Sequence, residues 1–389
     1  MCILTTRQRQ RRTSGLESPA GSPYNRGMTV ESGNRVSEET DVAPLGYVPA
    51  LDGLRAFAVL LVMLLHAHFQ LGQGGAIGVD IFFALSGFLI TSLLLEERRK
   101  FGSVSIGRFY GRRALRLFPP LYAMLLVVLL YGAFFVSGSD RSIIFEESIA
   151  TGLYVNNIAW TWGSPALMLG HTWSLAVEEQ FYLVWPLVLV FFLHQRRVRS
   201  LEITLVCFIA LVALLRISAI APVVYDSRPD SIMVGCLAAL LRFDRSLRRA
   251  PSGLTSMLAF TGLLIAGMLP IFSSSTVHKN GGFLIAAVLA TIVVLGLIDS
   301  TNALSRFLSL PLFVAIGRIS YALYLWHVPV FRWFARESSL PNWLQFSAKF
   351  LVTFALAALS WFLIERHTAR WRKRFHRPRA VGEFVAEGA

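Results

Sequence analysis

An arginine and a histidine in the first apolar stretch of this sequence are well suited to chemistry. The stretch LDGLRAFAVLLVMLLH places Arg55 and His66 eleven residues apart. In an α-helix this spacing ends about 20 degrees past three full turns, so the two side chains share a face, about 16 Å apart along the axis. Ionisable side chains that face the interior of a membrane bundle usually serve function. The alternatives are an arginine that reaches to the lipid headgroups and a histidine that only bonds a neighbouring helix.

Two further arginines are candidates for the same site as Arg55. Arg113 and Arg116 are three residues apart in RALR, which puts them on one helix face. Their place at the predicted cytoplasmic border gives them a depth similar to that of Arg55. Guanidinium groups bind phosphates through paired hydrogen bonds, so the three arginines are predicted to hold the phosphate groups of a ligand. Basic residues at this border are also expected for membrane topology alone, and this alternative stays open for Arg113 and Arg116.

The polar residues of the opposite, outer side offer acid–base chemistry. They include His66, Asp80, Ser174, Glu178, Asp230 and His327. A neutral histidine can take a proton from a hydroxyl, and a carboxylate bonded to its second ring nitrogen would orient the ring. We predict His66 as this base and Glu178 or Asp80 as its carboxylate partner. Helix capping is the alternative for Asp80 and Ser174, because each lies where an apolar stretch begins.

The composition places these residues in a membrane protein. The chain has 389 residues, of which 54% are hydrophobic and 15% are charged, and its mean hydropathy is +0.56. This is too apolar for a soluble domain of this size. The net charge of +14 comes from short basic runs between apolar stretches, which argues against a nucleic-acid partner. The three cysteines have no metal-ligand or disulfide spacing, so no metal site is predicted.

Apolar runs predict an all-α, polytopic transmembrane bundle of about ten helices. One further stretch, 143–160, carries two glutamates and two asparagines that would be costly in lipid, so it is predicted as a re-entrant or surface helix. The predicted spans are 49–69, 77–95, 116–137, 175–193, 201–221, 230–241, 254–272, 282–298, 309–333 and 346–365.

The distribution of basic residues predicts the orientation of the bundle. With ten spans, 28 of the 37 Lys and Arg residues fall in one set of connections and the two termini, which are therefore predicted to be cytoplasmic. Three regions follow: a disordered cytoplasmic tail at 1–48, a transmembrane domain at 49–366, and a basic cytoplasmic tail at 367–389. The last is predicted to anchor at anionic lipid. Residues 1–48 have no apolar core and are not predicted to be a signal peptide.

Motifs along the chain resemble the acyltransferase 3 family. In the first predicted helix an arginine is followed, after ten residues, by a histidine, and this pattern is similar to a signature of that family. The resemblance runs in order from about residue 48 to 366, and one departure is His367, where the family usually has proline. The further matching motifs are GVDIFFALSGFLIT at 78–91, FYGRRALRLFPPLY at 109–122, HTWSLAVEEQFYLVWP at 171–186, RPDSIMVG at 228–235 and GRISYALYLWHVPV at 317–330.

The resemblance implies a membrane O-acyltransferase of a bacterial plasma membrane. Its donor substrate would be cytoplasmic acyl-CoA, most often acetyl-CoA, with no permanently bound cofactor. Its acceptor would be a hydroxyl of a cell-surface polysaccharide, a lipid-linked sugar or a glycosylated metabolite. The three arginines would hold the phosphates of CoA, and His66 with Glu178 or Asp80 would supply the catalysis. Residues expected to bind the acceptor are Trp173, Ser174, Arg228, Asp230, Tyr324 and His327.

Alternatives remain open at the level of the residues. Direct transfer without an acyl-enzyme is the working mechanism, while Ser174 keeps a two-step route open. Ser86 has no nucleophile elbow and is expected to serve packing. The aromatic residues around Tyr324 are also typical of a membrane-interface belt. The rival function is a transporter or exporter of a glycoconjugate, because buried ionisable residues also mark transport pathways; a duplicated half, common in transporters, is not seen in this sequence.

Overall fold

Helices form every regular element in the part of the chain that the structure describes. The computed structural model describes residues 45–218, 227–244, 250–270, 277, 281–298 and 301–375. The earlier helices are α1 (Pro49–His66), α2 (Ile77–Phe101), α3 (Ile106–Phe135), α4 (Ser139–Gly152), α5 (Asn156–Thr161), α6 (Trp173–His194) and α7 (Val198–Ile217). The later ones are α8 (Pro229–Phe243), α9 (Gly253–Met268), α10 (Phe283–Ile298), α11 (Ala303–Leu308), α12 (Pro311–Arg318), α13 (Ser320–Glu337), α14 (Asn342–Ser360) and α15 (Arg366–Arg372). The predicted all-α class is confirmed.

Six helices of the described chain are long and apolar enough to cross a membrane. They are α1, α2, α3, α6, α7 and the continuous run of α14 with α15. The pair α12 and α13, bent by 68°, makes a seventh if it counts as one broken span, and α9 and α10 are shorter apolar helices. A multi-pass bundle is therefore supported, while ten spans and cytoplasmic termini stay predictions.

The stretch 143–160 is divided between α4 and α5, and neither is among the membrane-capable helices. Its polar residues hold the loop before α6. Glu147 accepts hydrogen bonds from the backbone N–H groups of Met168 at 2.9 Å and Leu169 at 3.4 Å. Asn156 donates to the Leu169 carbonyl at 3.0 Å and to Thr172 Oγ1 at 2.7 Å. These buried bonds fix the loop, whose end carries the start of α6.

The first helix is central to the bundle because it packs against α2, α12 and α13. Eleven of its 18 residues are buried, as expected for a helix that is apolar on most of its faces. Arg55 and His66 are only half-buried, and they lie at the end of the second turn and at the end of the helix. The packing thus holds the predicted pair on one rigid element.

Close contact between α2 and α8 depends on two glycines. A Cβ atom at Gly87 would lie 2.1 Å from the Ile232 carbonyl oxygen, and one at Gly235 would lie 2.1 Å from the Ala84 carbonyl oxygen. Small residues allow membrane helices to approach this closely, and the backbones touch. The approach brings the start of α2 against the start of α8.

The chain after α14 continues as helix. A π-helical turn (Trp361–Glu365) leads into α15, and a 3-10 turn (Lys373–Phe375) follows it. Both α15 and the 3-10 turn pack against α3. The predicted C-terminal tail therefore begins with ordered helix, and residues 376–389 lie outside the described residues. Most of the predicted N-terminal tail, residues 1–44, also lies outside them.

Candidate active site

Three histidines from distant parts of the chain form a cluster. His66 ends α1, His171 lies in the 3-10 turn before α6, and His327 lies in the middle of α13. The His327 ring centroid is 5.0 Å from that of His66 and 4.9 Å from that of His171. His171 and His327 are buried. Of the two predicted histidines, the structure thus brings His66 and His327 together.

His171 is the functional candidate that the sequence analysis missed. It begins the motif HTWSLAVEEQ, three residues before Ser174, and that position could have suggested it. Its Nε2 lies 3.3 Å from the Leu325 carbonyl oxygen, and its buried Nδ1 has no hydrogen-bond partner in the described chain. The ring therefore adds an unsatisfied acceptor to the cluster.

Backbone carbonyls assign the protons on the clustered rings. His327 Nδ1 is 2.7 Å from the Tyr324 carbonyl, and His66 Nδ1 is 2.9 Å from the Val62 carbonyl. A carbonyl oxygen only accepts, so each Nδ1 carries the hydrogen. His327 Nε2 is then an acceptor and lies 3.4 Å from His66 Nδ1. The lone pair of His66 is left on Nε2, which is the state that a general base requires.

The expected carboxylate partner of His66 is not found in this arrangement. In the described chain, the His66 ring donates from Nδ1 to the Val62 carbonyl and to His327 Nε2. Asp80 and Glu178 instead accept hydrogen bonds from other side chains, and neither bonds the His66 imidazole in the described chain. The orienting role predicted for a carboxylate is thus supplied by a carbonyl and a neutral imidazole. A part for either carboxylate elsewhere in the reaction stays a prediction.

Asp80 belongs to a buried ion cluster at the start of α2 and α8. Its carboxylate accepts from Arg228 Nη1 at 3.0 Å and from Ser231 Oγ at 2.8 Å. The guanidinium of Arg228 lies 3.4 Å from the centroid of the Phe283 ring and 5.2 Å from that of Trp173. The alternative of helix capping for Asp80 is wrong, since no side chain caps α2.

A second pair completes the ion cluster. Both Nη atoms of Arg216 lie 2.6 Å from the two carboxylate oxygens of Asp230, and both side chains are almost fully buried. Arg228 itself has φ of 47° and ψ of 46°, a left-handed conformation that costs a non-glycine residue stability and persists where its surroundings fix it. Asp80, Arg228 and Asp230 therefore bond to protein partners, and none of them lines the cavity described next. Arg216 was not among the predicted site residues, because it lies in a stretch that was predicted to be a span.

A cavity of about 300 Å³ contains the predicted phosphate-binding arginines. Arg55, Arg113 and Arg116 share its wall with Ser174 and Tyr324. The volume is within the range of small-ligand sites. One cavity thus joins residues that were predicted for the donor with residues that were predicted for the acceptor.

The arginines differ in their protein partners. Arg55 Nη1 pairs with Asp52 Oδ1 at 2.7 Å. The Arg113 guanidinium lies 4.0 Å from the centroid of the Tyr182 ring. Neither Arg113 nor Arg116 has a hydrogen-bond acceptor or a carboxylate partner within salt-bridge distance among the described residues. Several cations around one cavity repel each other, so an anion bound between them would be stabilised.

Glu178 lies on the cavity wall with two hydroxyl groups. Tyr182 donates to Glu178 Oε1 at 2.8 Å, and Ser86 also donates to that oxygen. The Tyr182 and Ser86 oxygens are 2.8 Å apart. The expectation that Ser86 serves packing is therefore wrong, because its hydroxyl lines the cavity and is hydrogen-bonded.

A pair of hydroxyls lies between the cavity and the histidine cluster. Ser174 Oγ and the Tyr324 hydroxyl are 2.5 Å apart, and both residues line the cavity. Tyr324 also donates to the His171 carbonyl at 2.9 Å, and its ring centroid is 5.4 Å from that of His327. Ser174 bonds a tyrosine and does not cap α6. A reacting group at this end of the cavity would lie next to the histidines.

The chain belongs to the acyltransferase 3 family. The acyltransferase domain of that family matches residues 48–362. Among curated relatives, the peptidoglycan O-acetyltransferase OatA of Listeria monocytogenes is 33% identical over 347 residues, which cover 82% of this chain and 55% of the relative. The O-acetyltransferase OatA of Staphylococcus aureus is 31% identical over 349 residues, covering 82% and 57%. The chain spans about half the length of these relatives. No solved structure matches the chain.

Proposed function

We propose that this protein is a bacterial membrane O-acetyltransferase that moves an acetyl group from acetyl-CoA to a hydroxyl of peptidoglycan. One observation carries the proposal: a single cavity combines the arginines with a hydroxyl pair that contacts two of the three clustered histidines, His171 and His327. The acceptor class rests on the relatives, two of which are named as O-acetyltransferases and one of these as acting on peptidoglycan.

The donor would lie in the cavity as an elongated anion. Its phosphates would lie at Arg113 and Arg116, whose hydrogen-bond donors are available, with Arg55 beside them. Its thioester would lie at the hydroxyl pair of Ser174 and Tyr324. An extended ligand of this kind would span the separation of about 16 Å between the arginine and the histidine on α1.

The reaction is a direct transfer from sulfur to oxygen. The acceptor hydroxyl oxygen bonds to the thioester carbonyl carbon, the carbon–sulfur bond breaks, and the hydroxyl proton moves to Nε2 of His66. The imidazolium then protonates the thiolate of CoA, which restores the neutral ring. While the ring is charged, its Nδ1–H bonds to Val62 and His327 stabilise it.

The test uses purified protein in lipid nanodiscs with acetyl-CoA and soluble peptidoglycan fragments. Free CoA thiol and O-acetylated fragment are measured together, and we expect equal amounts of both and little CoA without acceptor. Acetylation of a different carbohydrate in place of peptidoglycan would correct the acceptor alone. No turnover with any carbohydrate would contradict the enzyme and would favour a transporter.

The Ser174→Ala variant separates direct transfer from a two-step route. We expect this variant to keep its rate within about tenfold, because Tyr324 retains its bond to the His171 carbonyl and the base is untouched. The measurement is the rate of CoA release, together with the intact mass of the wild-type protein after acetyl-CoA is added alone. Loss of all activity, with an added acetyl group on the wild-type chain, would instead identify Ser174 as a nucleophile.

A further inference from the structure

A second cavity, of about 690 Å³, lies next to the first. The two cavities share Leu93, Arg113 and Arg116 in their walls. The remaining wall comes from the end of α2, the start of α3 and the C-terminal helix α15, which contributes Ala369 and Arg372. The proposed phosphate site therefore opens on one side to a larger space that is lined in part by the C-terminal segment.

The C-terminal segment, residues 366–375, is docked on α3 by two contacts. The Phe375 ring lies against Gly111, where a Cβ atom would come within 2.5 Å of the ring. Arg112 Nη1 donates to the Phe375 carbonyl at 2.8 Å, and Arg112 Nη2 lies 3.5 Å from Glu97 Oε2. This docking places Arg372 at the cavity. The segment lies beyond residue 362, where the family match ends.

The second cavity carries an excess of cationic side chains. Lys100, Arg112, Arg113, Arg116 and Arg372 line it, against the two carboxylates Glu96 and Glu97. Arg372 and Arg113 are close enough to Arg116 for their charges to interact, and Glu365 offsets part of that charge. An anion with several phosphates is the ligand that such a wall would bind.

We infer that the C-terminal segment completes the donor site and that Arg372 binds the 3′-phosphate on the ribose of CoA. This rests on the proposed function. The pyrophosphate lies at Arg113 and Arg116, which both cavities share, so the pantetheine arm extends into the first cavity and the adenosine phosphate into the second. Arg372 is a positioning and specificity residue here, remote from the reacting atoms.

An anionic lipid headgroup would offer the same phosphate chemistry, and α15 contains a matched control. Arg370 is exposed on the same helix and does not line the cavity, whereas Arg372 is half-buried and does. Lipid anchoring depends on exposed charge, so replacement of either arginine would weaken it. A nucleotide in the cavity would respond to Arg372 alone.

The experiment compares acetyl-CoA with acetyl-dephospho-CoA, which lacks the 3′-phosphate, in nanodiscs of fixed lipid composition. For the wild type we expect a KM about tenfold or more lower for acetyl-CoA. Arg372→Gln should raise the KM for acetyl-CoA to that for the dephospho donor and leave kcat and the dephospho KM unchanged. Arg370→Gln should change neither. Gly111→Val fills the space that the Phe375 ring occupies against α3, so it should change the KM values as Arg372→Gln does. Size-exclusion chromatography verifies that this variant is folded.

Three outcomes would overturn the inference. They are an unchanged KM in Arg372→Gln, an equal rise for both donors, or an equal effect of Arg370→Gln, which would indicate lipid anchoring. Equilibrium dialysis of labelled CoA against the wild type distinguishes this failure from that of the proposed function. If the wild type binds CoA and Arg372→Gln leaves the KM values unchanged, only this inference is removed. No binding of CoA by the wild type would remove both.

Discussion

Replacement of His66 by alanine is expected to lower the rate of acetyl transfer by about a hundredfold to ten-thousandfold, the usual contribution of a general base. The loss should fall on kcat, and the KM for acetyl-CoA should change little, because the arginines proposed to hold the donor are untouched. His171 and His327 are not expected to replace the missing ring, since both are buried and each bonds a backbone carbonyl. The measurement is CoA release at saturating acceptor.

His68 is the matched control for this experiment. It is exposed, lies two residues beyond His66 and has φ of 55°. Asparagine tolerates that conformation better than most residues, so His68→Asn is the suitable change and should leave the rate within about twofold. Full activity in His66→Ala would rule out His66 as the base. An equal loss in both variants would mean that the end of α1, rather than the imidazole, is what matters.

The second large effect concerns stability. Asp230→Ala is expected to destabilise the protein by about 3–5 kcal/mol, because Arg216 would be left with a buried and uncompensated charge. The Arg216 side chain is only 1% exposed, and that of Asp230 is 0% exposed. Unfolding can be followed by heating with a thiol-reactive fluorophore, because Cys236 on α8 is buried and reacts only when the bundle opens. Thiols that react in the folded protein are blocked beforehand.

A double variant separates the ion pair from general damage. Arg216→Met with Asp230→Leu removes both charges and keeps apolar volume, and we expect it to recover most of the stability lost in Asp230→Ala. A single variant as stable as the wild type would contradict the buried pair. A double variant as unstable as the single one would show that the guanidinium fork itself holds α7 against α8.

Helix periodicity made part of the site predictable. α1 runs unbroken from Pro49 to His66, so the prediction that Arg55 and His66 lie on one helix is confirmed. The number of spans was harder to predict, because length rules assume straight helices of about 20 residues. The 68° bend between α12 and α13 and the 16 residues of α9 and of α10 depart from that assumption.

The choice of partners could not be predicted in the same way. Asp80 was one of the two carboxylates expected beside His66, but the close approach of α2 and α8 gives it Arg228 and Ser231 as partners. Helical periodicity could not predict the position of His171, because this residue lies in a short 3-10 turn held by Glu147 and Asn156. Its membership of the cluster depends on how that loop packs against α13.

By itself, the amino-acid sequence determined that the chain is a helical membrane protein. Apolar runs in lipid must bond their backbone groups within their own segment, which requires helices, and the ordered motifs sufficed to predict the family. Only the tertiary structure decided which ionisable side chains meet. His66 and His327 are 261 residues apart in the chain, and the periodicity of a helix reports the face on which a side chain lies but not the neighbour that faces it.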